Sequence, residues 1–484
     1  MFMGTSAKIT LTNTISTLTC TDQEVITKLC DCLKFRPAGY FHSTLYKRRL
    51  WDGYTRFFTD KGKFLTGLLA EVLFALQKMG VEVSIDDRRS SIDFDIKTID
   101  EKFLQQFQKP DEEKITLTDY QVDLVNQAIK NKRGIITAPT SAGKSFIIAS
   151  IVKALPPNTP TLIVQNRKAL ATQNYDEMVR WGVSNVGILG GGKSKPDIIT
   201  VSTVQSVKKM ESVLPQIQCL IVDEIHDMMS DTAKNLYKKL TGCGVRIAVS
   251  ATPFKSGGDD KVQKFFVKGY FGGILKTKTT ETGVLTTKEL QKRGRLSTSK
   301  AYFFEINNPQ IPYAVYQDAV QLGIVENNEL HEKTIKIASK LRGRTLILVD
   351  RIAHGDILQN LLPNAIWVQG SDTEKTRKEV IKKLQTATGD LVAIGTQQIF
   401  NTGINVFVHN LINAAGGQAD HTIIQRMGRG LRTAKDKKDF TYIDFVFRIN
   451  DYLEKHSMKR MKILGDEGHA LSMLTVDDFL AGAH

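Results

Sequence analysis

Cysteine is scarce and odd in number. Cys20, Cys30, Cys32, Cys219 and Cys243 are the only ones in 484 residues, and they offer no pair of Cys-x-x-Cys knuckles for zinc. A disulfide-stapled scaffold is excluded, and buried free thiols are expected. Long apolar runs are missing as well: none approaches the roughly 18 residues of a membrane helix. The Thr-rich start through Cys20 lacks the apolar centre of a signal peptide, so the expected location is the cytoplasm. No repeat or low-complexity tract is visible. Acid is in deficit, with 66 Lys and Arg against 51 Asp and Glu, a net charge of +15. That surplus suits a polyanionic partner such as nucleic acid. The 41% hydrophobic and 24% charged residues are ordinary for a globular chain. At roughly 100 to 200 residues per domain, about three domains are expected.

Residues 1–113 read as a small α+β domain. The runs Arg49 to Trp51 and Tyr54 to Phe58 flank Asp52-Gly53, a dipeptide suited to a tight hairpin turn. Leu68, Leu69, Val72, Leu73, Leu76 and Met79 recur at helical spacing and end at Gly80, a helix-stop residue. Val81 to Ile85 and Ile92 to Ile96 alternate like half-buried strands. The charged stretch 109–114 marks a boundary. Beyond it, short β-branched runs alternate with helix-length segments, the signature of an α/β domain with a parallel sheet. Strands are expected at 134–137, 161–164, 198–201, 219–222 and 246–249, within a first α/β domain and connecting region over 114–300. A second series at 345–349, 365–368, 391–394 and 442–445 gives another α/β domain over 301–446, followed by a tail at 447–484. The fold class is therefore α/β, two tandem parallel-sheet domains preceded by a small α+β domain.

Three segments carry chemistry. Ala138-Pro139-Thr140-Ser141-Ala142-Gly143-Lys144-Ser145 follows an expected strand and opens a helix. Backbone N–H groups of Thr140, Ser141, Ala142 and Gly143 can cradle phosphates there, with Lys144 on the β and γ oxygens and Ser145 on Mg²⁺. Ala138 replaces the first Gly of the general pattern. Asp223-Glu224-Ile225-His226 closes an apolar strand, where a carboxylate faces the ligand crevice of an open α/β sheet. Asp223 can hold the same Mg²⁺, and Glu224 can activate a water. Gln425-Arg426-Met427-Gly428-Arg429-Gly430-Leu431-Arg432 lies in the second α/β domain, and Arg429 and Arg432, three apart, share one helix face. Such guanidiniums can stabilise a transferring phosphoryl group.

With these segments in hand, residues 115–446 resemble a superfamily 2 helicase of the DExH group. The resemblance implies two RecA-like motor domains, ATP and Mg²⁺, a nucleic-acid-stimulated ATPase, and catalytic roles for Lys144, Asp223, Glu224, Gln425, Arg429 and Arg432. It adds Ser250-Ala251-Thr252 as a link between hydrolysis and strand movement. Gln165-Asn166-Arg167 and Ser202-Thr203-Val204-Gln205 become loops contacting the nucleic-acid backbone, with Asn166, Arg167, Thr203 and Gln205 as the contacts. Thr396 to Asn405 becomes the segment joining nucleic acid, at Thr396, to nucleotide, at Gly403. Many relatives end this segment Gly-x-Asp, where this chain has Gly403-Ile404-Asn405. Gln121, in Thr118-Asp119-Tyr120-Gln121, reads either as an adenine contact by resemblance or as the third helical position of a capping box.

Residues Lys47 to Phe58 look like the N-terminal domain of phage UvsW-type helicases, which act on branched DNA. The partner then expected is a fork or a four-way junction, in the cytoplasm of a host cell. From Lys47 to Lys63 there are six basic and two acidic residues interleaved with four aromatics, a composition for phosphate contact and base stacking. Lys47, Arg48, Arg49, Trp51 and Arg56 are the candidate contacts. A hairpin with an apolar inner face and a solvated basic outer face fits the same residues. An RNA helicase is the alternative substrate reading. A nuclease-associated binding subunit is the other class, since Asp93 to Lys97, with Asp86 and Asp87 upstream, holds an acid-x-Lys pattern that alternation also explains as a strand.

Overall fold

Near-continuous runs of Val, Ile, Leu and Ala form parallel strands only where helices cover both faces of the sheet. The computed structural model describes residues 5–90, 92–108, 114–139, 141–190, 192–254, 261–397, 408–417, 439–466 and 469–482. Two compact units emerge, one of Met1–Ala138 with Gly143–Leu285 and one of Pro139–Ala142 with Thr286–His484.

In the first unit, seven strands lie in the order Lys193–Lys195, Val186–Gly190, Ile199–Thr203, Thr161–Gln165, Cys219–Asp223, Val245–Ser250 and Arg133–Thr137. All pairings are parallel except that of the short edge strand Lys193–Lys195. The register brings strand ends level: Ser250 pairs with Thr137, Asp223 with Val249, and Thr203 with Gln165. The expected strands form here; Val186–Gly190 lies in a Gly-rich segment whose sequence carries no clear strand signal.

The N-terminal residues build a four-stranded sheet in the order Lys63–Leu65, Ile15–Cys20, Ser6–Leu11, Glu82–Asp87. Helix Gln23–Cys32 starts on an Asp22 cap and helix Leu69–Met79 ends on Gly80 at φ 75°, as its spacing predicts. Two expectations fail. No hairpin forms across Asp52-Gly53: Lys47 ends a one-turn helix, Thr44–Lys47, and Thr55–Arg56 pairs with Lys34–Phe35. Ile92 to Ile96 is not a strand either. Ile92 and Phe94 are buried as the alternation implies, but the backbone follows a neighbour rather than a sheet edge, with Ile96 N–H donating to Ala154 O at 3.3 Å.

This sheet shares the first unit with the motor strands instead of forming a separate body. Phe57 meets Phe265 and Phe266 at 5.4 and 4.8 Å between ring centroids. A side chain at Gly67 would place its Cβ 2.1 Å from Lys268 O, so only glycine admits this approach. Two guanidiniums, from half-buried Arg133 and buried Arg246, complete the seam. Arg133 donates to Tyr270 O at 3.0 Å and Asn13 O at 2.5 Å, and Arg246 to Thr14 Oγ1 at 2.8 Å, Leu240 O at 2.6 Å and Tyr237 O at 3.2 Å. Burial, and after it the nearby charge of Arg246, pulls Arg133 down to about 9. Of the cysteines, Cys219 and Cys243 are buried, Cys20 and Cys30 half-buried and Cys32 exposed.

The second unit holds seven strands in the order Ile366–Val368, Leu391–Thr396, Arg344–Val349, Asn410–Asn413, Asp439–Phe447, Thr298–Ile306 and Ala470–Met473, all parallel. The expected cut at 300 would divide strand Thr298–Ile306; the units part at Leu285 instead. Residues from 447 are not a loose tail. Ala470–Met473 extends the sheet, and Phe479 packs 5.2 Å from the Tyr302 ring. Arg460 in helix Asp451–Asp466 forms a fully buried pair with Asp444 at 2.9 Å.

Arg246→Met should lower unit stability by about 3 kcal/mol, because it removes at once the donors to the buried Thr14 hydroxyl and to the Leu240 and Tyr237 carbonyls. Chemical denaturation monitored by tryptophan fluorescence reads it, and an unchanged midpoint would refute the role given to this seam.

Candidate active site

The phosphate-loop sequence folds as its residues demand. Strand Arg133–Thr137 runs into the loop, and helix Lys144–Ala154 starts at Gly143, whose backbone is left-handed at φ 77°. A Cβ at Gly143 would lie 2.3 Å from Gln121 Nε2, so the loop closes directly on that side chain. Gln121 is buried, and its Oε1 accepts from Thr118 N–H at 2.8 Å. The capping box is therefore what the structure forms. Thr140 lies outside the described residues. Ser141 is left-handed at φ 71° and Ser145 is half-buried in the first turn of the helix.

Strand Cys219–Asp223 delivers two carboxylates to the same place. Glu224 turns off the strand at φ 55°, an unfavourable region for a non-glycine residue and one that clusters at functional sites. Its N–H is held by Val249 O at 2.8 Å. The turn aims the carboxylate at Lys144, whose Nζ lies 2.6 Å from Glu224 Oε1, with both side chains nearly buried. The other carboxylate oxygen accepts from Ser250 Oγ at 3.1 Å. His226 Nδ1 lies 2.9 Å from the same Ser250 Oγ. The one hydroxyl hydrogen goes to Glu224, so the ring nitrogen must be the donor of the second contact. His226 and Ser250 thus tie the strand ends Asp223 and Ser250 through Glu224. The sequence flags both motifs but gives no sign that they share one hydroxyl.

Asp223 is read differently by its surroundings. Its Oδ2 accepts from Gln165 Nε2 at 3.4 Å and Asn174 Nδ2 at 3.5 Å, while its buried Oδ1 has no hydrogen-bond partner among the described residues. Burial, and next the charge of Glu224, raises Asp223 to about 7. Glu224 is also pushed up by burial, but Lys144 and His226, with hydrogen bonds from Lys144 and Ser250, outweigh it and hold Glu224 below its ordinary value. An orphaned carboxylate oxygen beside a lysine and a helix N-terminus fits a divalent cation carried with a polyphosphate. Asp223 and Ser145 are the side chains that could hold the cation.

The expected nucleic-acid contacts divide. Gln165 is buried on Asp223 rather than facing a strand of nucleic acid, and Thr203 is buried with its hydroxyl on Ser206 Oγ at 2.9 Å. Gln205 is exposed, Arg167 is half-buried, and Asn166 donates to Asp227 Oδ2 at 3.0 Å. Thr396 is buried at the end of its strand. Lys47, Arg48 and Arg49 are exposed. Trp51 is half-buried and donates from Nε1 to Tyr54 O at 2.9 Å, while Arg56 is bridged to Asp52. Gly403, Gln425, Arg429 and Arg432 lie outside the described residues. The acid-x-Lys pattern loses its metal-site reading: Asp86 pairs with Arg88, Asp87 with Arg89 and Asp93 with Lys132, at 2.8, 2.5 and 2.7 Å.

Comparison with known proteins agrees with this geometry. The family described as the res subunit of Type III restriction enzymes matches residues 114–255. The chain is 24% identical to the ATP-dependent DNA helicase uvsW of Enterobacteria phage T4, over 94% of this chain and 96% of that one. It is 26% identical to the DNA 3'-5' translocase XPB2 of Sulfurisphaera tokodaii, over 67% of this chain and 80% of its relative. In structure it is similar to S. cerevisiae Dbp5 bound to RNA and ADP BeF3, with a TM-score of 0.52 and 14% identity over 75% of this chain and 91% of that one. The chain resembles superfamily 2 helicases in sequence and fold. Its two large parallel sheets are the tandem RecA-like domains of that resemblance. No helix among the described residues is long and apolar enough to cross a membrane.

The raised Asp223 value has a consequence for stability. The folded protein keeps on Asp223 a proton that the unfolded chain releases near pH 4, so this contribution is whole below about pH 4 and is lost as pH rises through about 7. Asp223→Asn should therefore melt above the parent protein at about pH 8 without nucleotide, with the gap narrowing as pH falls and closing by about pH 4. A melting difference independent of pH would show that Asp223 is ionised throughout.

Proposed function

We propose that the chain is an ATP-dependent DNA helicase or translocase acting on branched DNA, forks and four-way junctions, in replication, recombination or repair in a host-cell cytoplasm. The observation that carries the ATPase is the Lys144–Glu224 pair at 2.6 Å beside the unpartnered oxygen of Asp223. Support for DNA comes from the relatives named above as DNA helicase and translocase. An alignment over 94% of the chain reaches into residues 1–113, so the likeness extends beyond the motor.

Lys144 neutralises Glu224 while no phosphate competes for it. Once Lys144 turns to β and γ oxygens, Glu224 is freed as a base for the attacking water, still oriented by Ser250. Asp223 and Ser145 would hold Mg²⁺, which would offset charge on the transferring phosphoryl group. Thr140, Ser141, Ala142 and Gly143 present backbone N–H groups to phosphates, and Gln121 and Gly403 border the nucleotide. Arg429 and Arg432, with Gln425, bring positive charge to the γ-phosphate. Ser250 links Glu224 to Thr252 N–H at 3.2 Å, a route from hydrolysis toward the strand-gripping loops at Asn166, Arg167, Gln205 and Thr396. Lys47, Arg48 and Arg49 hold DNA phosphates.

ATPase rates measured in parallel with single-stranded DNA, duplex, fork, four-way junction and RNA test the reading; stimulation by RNA alone would replace DNA with RNA as substrate. Lys144→Ala should lose nucleotide binding, while Glu224→Gln should bind and retain ATP without turnover. Arg429→Ala or Arg432→Ala should cost on the order of 10³-fold in turnover with DNA affinity kept. Reversing charge at Lys47, Arg48 and Arg49 together should weaken junction binding and flatten its salt dependence. Unaltered binding across salt concentrations would mark that cluster as a solvated face.

A further inference from the structure

Residues 36–54 leave the N-terminal domain and return to it through a ribbon of two residues a side, Lys34–Phe35 against Thr55–Arg56. A protrusion closed so narrowly must hold itself together, and its aromatics do so. The Tyr40 and Tyr46 rings meet edge-on at 4.9 Å, the Arg36 guanidinium lies 4.5 Å from the Tyr54 ring, and Trp51 bonds the Tyr54 carbonyl. Gly53, left-handed at φ 82°, passes beneath the tyrosines, where a Cβ would stand 2.8 Å from Tyr40. The polar-aromatic side chains are thus spent on the inside of the lobe.

Its outside is apolar where a solvated surface would be polar. Leu50 is 72% exposed, Leu45 55% and Phe41 53%. All three lie within the same stretch of the lobe: Leu50 N–H donates to Leu45 O at 2.9 Å, and Phe41 stands on the short helix Tyr40–His42 that precedes Thr44–Lys47 across the extended Ser43. Exposed Lys47, Arg48 and Arg49 fill the gap between Leu45 and Leu50, and none of the three forms an ion pair with a described residue. An apolar tip framed by free cations matches a partner with an apolar face framed by anions. The last base pair of a duplex at a branch point has that form, an uncovered aromatic face between two phosphate backbones. The lobe's domain is also locked to the first motor sheet through Arg133 and the buried Arg246, so the tip moves with that sheet.

Resting on the DNA-helicase reading, we propose that Phe41, Leu45 and Leu50 form a wedge that stacks on the exposed base pair at a DNA branch point, while Lys47, Arg48 and Arg49 hold the flanking phosphates. Strand driven by the motor would be drawn against this tip and parted from its complement there.

The test uses the full chain and a synthetic fork carrying 2-aminopurine at the base next to the branch, without nucleotide, beside a second fork labelled about ten base pairs into the duplex. Binding should change the fluorescence at the branch and not in the duplex. Phe41→Ser with Leu50→Ser should, at fork concentrations that saturate both proteins, abolish that change and slow fork unwinding by roughly tenfold or more, while single-strand-stimulated ATPase changes by less than about threefold, since the motor is intact. Leu50→Met, which keeps an apolar tip, should behave as the parent protein. If the double variant melts normally, binds the fork and still gives the branch signal, the wedge is wrong. A Leu50→Met protein as impaired as the serine variant would overturn it too, because shape and not apolar contact would then matter. Absence of DNA-stimulated ATPase in the parent protein would instead sink the helicase reading itself.

Discussion

One ion pair organises the first unit: Lys144 at the start of a helix and Glu224 at the end of a strand, 2.6 Å apart in a nearly buried crevice. Neither charge is tolerable there alone, since an uncompensated buried charge costs several kcal/mol. Glu224 therefore adopts a left-handed backbone to reach the lysine, and Ser250 and His226 take up its remaining oxygen. Burial, and after it the charge of Glu224, raises the proton affinity of the neighbouring Asp223.

A second constraint governs how the N-terminal sheet is used. Half-buried Arg133 and buried Arg246 pair with no carboxylate among the described residues, and their donors are taken by carbonyls and the Thr14 hydroxyl instead. Such a seam does not slide, because any displacement orphans several groups together. The backbone approach at Gly67 adds a steric lock. Both tie the domain that carries the protruding lobe of residues 36–54 to the seven-stranded sheet of the same unit.

Parallel strands were the most legible part of the sequence. Runs such as Cys219 to Val222 are apolar on both faces, and few other structures accept that pattern. The failures fall where local pattern allowed more than one outcome. Asp52-Gly53 can turn a hairpin, but Thr55–Arg56 found a partner in Lys34–Phe35, some twenty residues back, and long-range pairing decided the matter. Ile92 to Ile96 alternates as a strand does, yet alternation specifies only which side chains are buried. Thr298–Ile306 and Ala470–Met473 extend a sheet whose membership depends on residues far away in the chain.

By itself the sequence determined the fold class, the phosphate loop and the paired carboxylates, because those depend on local periodicity and on residues adjacent along the chain. Tertiary structure alone decided that Glu224 is held by Lys144, that one Ser250 hydroxyl serves both Glu224 and His226, and that Gln165 turns inward to Asp223. It also decided that Thr203 is buried and that Phe41, Leu45 and Leu50 are not. The physical reason is common to all of these. Burial and partnership are set by which strand ends come into register and which surfaces remain uncovered, and composition along the chain carries no record of either.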